Sequence, residues 1–506
     1  MIRRRAGLDG LRAHLDGLRT HLDGLRALLD GLRAHLDALR THLDGLRTHL
    51  DGLRTHLDAL RTNLDGLRPW AAAAAWLRVH GPGPRFLALG AFLFAGDLKA
   101  DPRLARIPVD LTLLTGAVLC GVLVRRWLRG ARVRGRGGPV LLGCWFLSFA
   151  PGLAGLAPTP YALQKVATIY TFSLLAALAP LFLVDTRADL ERMGDALAGF
   201  CLLITLGGLS GLGGLSGLGG EGADPQRLQA FGAGTIALGR ATGFLFLWAA
   251  LALGRVQKGG TSRAQRAGSS PFLYMPPAVL ALAGATALFA GSRGPILAAL
   301  AVLVPLAGTG AWSGVRRVGL AGTAVLLAVV LAGSLSLAPA GSLRRVTAFF
   351  RGDYGASEAY RVQALQACWR LVPGAPWGLG WGGFATFVDP EHGVARQYPH
   401  NLLAEVTLEA GWLCGATTLV VLAAALAAAW SGTAAPGGRL VFAGLGFHLC
   451  NALVSGDLND NRPLFLFIGC ALMFGRLSWS ADPGPGSARP DRADQARMAG
   501  PCRSGP

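Results

Sequence analysis

The sequence predicts an all-α protein that crosses a membrane about twelve times and holds one large loop outside it. Three observations predict this. Hydrophobic residues make up 52% of the 506-residue chain, and they gather in runs close to the ~20 residues that a helix needs to span a bilayer. The Lys and Arg residues behind the net charge of +19 cluster between those runs, as cytoplasmic loops do under the positive-inside rule. One segment within the apolar region, residues 338–399, is long and polar enough to stand outside the membrane. The same placement of charge argues against a nucleic-acid footprint and leaves acidic lipid phosphates as the natural partner for any arginine outside the clusters.

Taken in order, residues 1–68 come first, and most of them repeat a seven-residue unit close to His-Leu-Asp-Gly-Leu-Arg-Thr. Leucines alternate at spacings of three and four, the a/d pattern of a coiled coil. A glycine recurs at one heptad position, for example Gly10, Gly17 and Gly24, and each costs a helix ~1 kcal/mol relative to alanine. An oligomerising coiled coil, a solvated amphipathic helix and an expanded DNA repeat, translated incidentally or upstream of the true start, all fit. The uniformity of the unit favours the last. Six of the ten His recur here at heptad spacing; copying of one codon block accounts for them better than a metal-binding stripe does.

Residues 69–480 form the predicted membrane domain. Spans are expected near 86–98, 107–124, 139–157, 166–184, 195–213, 234–253, 272–291, 294–312, 318–337, 402–429, 439–456 and 462–479. Basic clusters alternate with them: Arg125 to Arg136, Arg187 with Arg192, Arg255 to Arg266, and Arg316 with Arg317. With twelve crossings both termini lie in the cytoplasm and the 338–399 loop lies outside. No cleavable signal peptide is visible, because the first apolar run comes late and lacks a processing site. The Gly/Leu tandem at 207–222 reads as a flexible outer loop, and residues 481–506, rich in Pro, Gly, Ser, Asp and Arg, as a disordered cytoplasmic tail. The eight cysteines show neither a disulfide framework nor zinc spacing.

Several polar residues are not explained by crossing a membrane. Arg293 stands in Gly291-Ser292-Arg293-Gly294-Pro295, between two apolar runs and on the outer side. A membrane arginine costs ~2.5–3.5 kcal/mol on insertion scales, so it tends to face a cavity or a partner, although one at a tight turn can also snorkel to headgroups. In the outer loop, residues 357–371 have the pattern of an amphipathic surface helix carrying Arg361. A glycine turn, Gly378-Leu379-Gly380-Trp381-Gly382-Gly383-Phe384, follows, then Asp389, Glu391, His392 and Arg396. The loop closes on Tyr398-Pro399-His400-Asn401. Pro399 bars an earlier helix start, so His400 and Asn401 sit at the mouth of the next helix, where Asn401 can cap free amides. Glu405 and Glu409 lie one turn apart on that helix, either as general bases or as acidic residues favoured near a helix start.

These segments resemble the O-antigen ligase and polymerase family, also called Wzy-type. The likeness rests on Ser292-Arg293-Gly294, on Tyr360-Arg361 through the glycine turn, and on His400-Asn401 with Glu405, Glu409 and Gly411. Arg240-Ala241-Thr242-Gly243 is a weaker fourth match. The resemblance implies a GT-C-type glycosyltransferase that passes a glycan from a polyprenyl (undecaprenyl) diphosphate to an acceptor hydroxyl on a glycan, lipid or protein. It implies no metal or other cofactor, and a site on the outer face of the bacterial cytoplasmic membrane. Arg293 and Arg361 would hold the diphosphate, His400 would orient or deprotonate the acceptor, Asn401 would cap the helix and fix the imidazole, and Glu405 would support the substrate side. A transporter or flippase of lipid-linked sugars is the alternative. It fits less well, because the notable charges gather at one surface and no half-repeat is evident.

Overall fold

The computed structural model describes residues 83–99, 108–131, 137–210, 235–258, 293–308, 356–388, 397–434 and 436–474, with isolated helical positions at 41, 44–45, 48, 51, 279–280, 282–284 and 286. The chain divides into two units, Met1–Val79 and His80–Pro506. In the first, the few described residues are helical, and the Thr48 hydroxyl donates to the Asp44 carbonyl at 2.9 Å, one turn back. The bulk of the heptad repeat, the 211–222 part of the Gly/Leu tandem, residues 389–396 and the 481–506 tail lie outside the described residues.

The second unit is a helical bundle. α1 (Pro84–Leu98) and α2 (Leu111–Leu128) form a hairpin. Asp110 caps α2 by accepting from the amides of Thr112 and Leu113, and it pairs with Lys99 at 3.1 Å across the hairpin. α3 (Gly137–Leu147) and α4 (Pro151–Ala154) lead to α5 (Pro160–Thr168), which Thr159 caps and Pro160 opens. A π turn (Ile169–Ser173) carries α5 into α6 (Leu174–Leu183). Then come α7 (Arg187–Ser210), α8 (Thr235–Lys258) and α9 (Arg293–Gly308). The predicted loop contributes α10 (Ala356–Leu371) and α11 (Gly383–Val388). α12 (Leu402–Ala410), α13 (Trp412–Ser431), α14 (Pro436–Ala452) and α15 (Arg462–Phe474) complete it, with a 3₁₀ turn (Leu458–Asn461) before α15.

The core is apolar and aromatic. Trp145 stacks on Phe465 with ring centroids 5.1 Å apart, and its indole N–H donates to Thr418 at 2.8 Å, joining α3, α13 and α15. Helices approach closely where side chains vanish: a Cβ on Gly469 of α15 would stand 2.1 Å from the Ala177 carbonyl of α6. Outside, Leu113, Val118, Val124, Trp127 and Leu128 of α2 face away from the protein, as a lipid-facing helix requires.

Four described helices are long and apolar enough to cross a membrane: Leu111–Leu128, Gly137–Ala154, Pro160–Leu183 and Trp412–Ser431. The predicted span at 318–337, and most of that at 272–291, lie outside the described residues; the other ten predicted spans fall on helices. One of these needs correction. The span expected as one helix at 402–429 is two, broken at Gly411, whose φ of 91° is left-handed. The break lets the loop before the glycine turn lie against it: the Trp412 amide donates to the Pro376 carbonyl at 3.0 Å, and a Cβ on Gly411 would stand 2.6 Å from that oxygen.

The bundle has two polar ends. At one, Arg85 pairs with Asp185 and Asp189, Arg126 pairs with Asp185, and Arg192 reaches Asp189 at 3.2 Å. The other end carries Lys99, Asp110 and the cluster of helix termini described next.

Candidate active site

Pro399 leaves the chain extended up to His400, which turns it. His400 has φ 56°, the one non-glycine residue with positive φ among those described. A bulky side chain there is strained, and such strain persists where surrounding contacts over-determine it. Asn401 then starts α12: its side-chain oxygen accepts from the Ala404 amide at 3.0 Å, and its Nδ2 donates to the Leu453 carbonyl at 2.9 Å. The predicted cap is therefore also a tie to the end of α14.

The imidazole of His400 packs between two tyrosines, with Tyr398 at 4.3 Å and Tyr360, edge-on, at 5.9 Å between ring centroids. Tyr360 precedes Arg361 on α10, and the Arg361 guanidinium acts electrostatically on His400. Burial and, next, that guanidinium push the imidazole down from 6.5 to about 4, with Asp457 pulling the other way. The ring is neutral at pH 7. Both its Nδ1 and the Nε of Arg361 are buried without a hydrogen-bond partner among the described residues, which is costly unless something else meets them.

Arg293 opens α9; its side chain lies outside the described residues. Its backbone neighbourhood is nonetheless defined. A Cβ on Gly294 would lie 3.8 Å from Val454 and 4.0 Å from the Asn451 side-chain oxygen, and Leu453 between them accepts from Asn401. The Arg240-Ala-Thr-Gly segment joins the same place. A Cβ on Gly243 would stand 3.1 Å from Pro295, and Arg240 donates to the carbonyls of Ser455 at 2.6 Å and Asp460 at 3.3 Å. Behind Tyr398 a cavity of about 360 Å³ is lined by Arg240, Arg462, Asp97, Asp460 and Tyr161, among others.

Glu405, expected on the substrate side, is fully buried: Oε1 lies 2.5 Å from the Lys165 ammonium and Oε2 accepts from the Leu458 amide at 3.0 Å. A carboxylate with no water needs a cation and donors, and Glu405 finds them inside the protein. Glu409 shares Lys165 at 2.5 Å and accepts from the amides of Gly382 and Phe384 at 3.2 and 3.4 Å. Neither acid is a free base. The glycine turn is thus strapped to α12, with Gly380 so close to Gly155 that a Cβ would stand 1.6 Å from that carbonyl oxygen.

Lys165, Asp457 and Arg462 are among the polar residues that sequence reasoning missed, and Arg240 it ranked low. Lys165 carried a signal, a single charge at the head of an apolar run, but as a residue flanking the 166–184 span it passed for an ordinary helix end. Among the described residues, no three or more His, Cys, Asp or Glu side chains converge as metal ligands.

Helices of membrane-crossing length, and a polar site built where several helix ends meet, define a multi-helix membrane protein with its candidate chemistry at one end of the bundle. Residues 278–419 match the family model described as O-antigen ligase, which supports the likeness to the O-antigen ligase, Wzy-type family that the sequence motifs carry. The match takes in under a third of the chain, including Arg293, Arg361, the glycine turn, His400 and both α12 carboxylates; Lys165 and Arg240 precede it. It supports an O-antigen ligase- or polymerase-like function. No curated protein matches the chain.

Proposed function

We propose that the protein transfers a glycan from a polyprenyl diphosphate carrier, undecaprenyl diphosphate in bacteria, to an acceptor hydroxyl, as a GT-C-type glycosyltransferase. The observation that carries this reading is a neutral histidine in a strained turn beside an arginine, each with a buried nitrogen that no hydrogen bond meets among the described residues. A neutral imidazole at pH 7 can take a proton, and an adjacent guanidinium can meet a developing anion.

In the reaction the acceptor oxygen attacks the anomeric carbon. The bond from that carbon to the diphosphate oxygen breaks, and the hydroxyl proton passes to a ring nitrogen of His400. The electron pair leaves with the diphosphate, whose added charge Arg361 and Arg293 offset with forked, charge-assisted hydrogen bonds. Arg240 and Arg462, in the cavity behind Tyr398, add positive charge on the donor side. Asn401 and Glu405 act on the fold around His400 rather than on the sugar. Arginines take the charge-offsetting role here, so the scheme calls on no metal ion. The polyprenyl tail would lie along the apolar helix faces. In the cytoplasmic membrane, the arginine-rich end would face the cytoplasm and the His400 end the outside.

The test is transfer from a polyprenyl-diphosphate glycan in membranes, at matched protein level. His400→Ala is expected to abolish transfer while donor binding persists. Arg361→Ala is expected to weaken donor binding as well, and Arg293→Lys to lower the rate at least tenfold despite keeping the charge. Transfer by His400→Ala at the wild-type rate would sink the mechanism.

A further inference from the structure

Lys165 lies outside the segment that carries the family likeness, yet its ammonium sits at the junction of four pieces of chain that build the site. It projects from α5, is fully buried, and lies 2.5 Å from both Glu405 and Glu409 of α12. It also stands 5.6 Å from the ring centroids of Tyr161 and Trp381. Through Glu409 it holds the amides of Gly382 and Phe384 in the glycine turn, and through Glu405 the amide of Leu458 before α15.

Two carboxylates one turn apart on one helix face repel each other, and burial makes each more costly. A single ammonium between them removes both penalties only while α12 stands at one height and one rotation relative to α5. Glu405 is one turn from the cap, its amide donating to the Asn401 carbonyl at 2.9 Å. Fixing Glu405 and Glu409 therefore fixes the helix start, and with it the strained residue in front. Among the described residues the contacts of Lys165 are with Glu405, Glu409, Tyr161 and Trp381, so its action on His400 runs through the backbone.

We propose that Lys165 is the positioning residue of this site: its ammonium pins α12 and the glycine turn to the membrane bundle and so sets where the His400 imidazole stands. This rests on the glycan-transfer reading for its kinetic consequences, but the pinning itself can be measured without activity.

The experiment uses the full chain in lipid nanodiscs and three variants: Lys165→Met, Lys165→Met with Glu405→Gln and Glu409→Gln, and Lys165→Arg. Amide hydrogen exchange of residues 378–388 and 402–410 is followed beside kcat and donor KM. Lys165→Met alone leaves two buried carboxylates without their cation and is expected not to fold. The triple variant buries no unpaired charge and should fold; in it exchange in these two segments is expected to rise at least tenfold, with α2 unchanged. Its kcat is expected to fall at least tenfold, with donor KM within threefold of wild type. Lys165→Arg keeps a cation that can bridge both acids, and is expected to recover most of the kcat. Wild-type kcat or wild-type exchange in the triple variant would overturn the proposal, because neutralisation alone would then suffice. If the wild-type chain transfers no glycan, the functional reading fails while the exchange result still decides the pinning.

Discussion

His400 shows how much one side chain draws from its surroundings. An imidazole in water titrates near 6.5; here burial and Arg361 bring it to about 4. The kcat/KM of the free enzyme should therefore hold as pH falls through 6.5 and decline only near 4, where the base becomes protonated. Arg361→Gln removes one of the two causes, so the decline should move to higher pH without reaching 6.5, since burial remains. An acid limb at the same pH in both proteins would show that the guanidinium does not act on the histidine. Linkage gives the same sign for stability. Between 6.5 and about 4 the unfolded chain takes up the proton and the folded chain does not, so His400 makes the fold less stable as pH falls through that window.

At the scale of elements, a glycine turn and a short helix act as one piece. The amides of Leu379 and Gly380 donate to the carbonyls of Leu408 and Glu409 at 2.8 and 3.0 Å, so the turn covers the open end of α12. Gly380 makes the approach possible: its φ is 84°, and it lies against the Gly155 backbone on its other side. Gly380→Ala is expected to cost more than about 2 kcal/mol, because strain adds to a collision with backbone that cannot turn aside. A clear fall in Tm and loss of transfer should follow. Gly374→Ala is the control, since among the described residues nothing lies within 4 Å of its Cβ position. Equal Tm for the two variants would mean that the turn does not depend on this contact. Little of this piece was legible in the sequence. The helix mouth at His400 and Asn401 was, because proline and asparagine act locally. The strap was not, because it joins residues that meet only in the fold.

At the scale of the bundle, charge gathers at its two ends. One end of the bundle carries the ion-paired arginines 85, 126 and 192 with Asp185 and Asp189, and the other carries Lys99, Lys165 and the termini around His400. If the first end is cytoplasmic, single cysteines in a cysteine-free background should report it. Lys99→Cys is expected to react with an impermeant thiol reagent from outside in intact cells, and Arg129→Cys only after permeabilisation. The reverse labelling would move the site to the cytoplasmic face.

From its order of residues alone, this chain determined that it is helical and that it is a membrane protein, and it singled out the arginine and histidine segments as candidates. Apolar runs, basic clusters, a proline and a cap act over a few residues, so each leaves its mark where it works. Tertiary structure decided what the carboxylates do. Glu405 and Glu409 looked like candidate bases because helical spacing reports which face two residues share, not what stands opposite. Lys165, 240 residues before Glu405, supplies the opposite face. Out of reach of bulk solvent a buried carboxylate takes the nearest cation, and only the fold, which brings Lys165 of α5 to α12, puts that cation there.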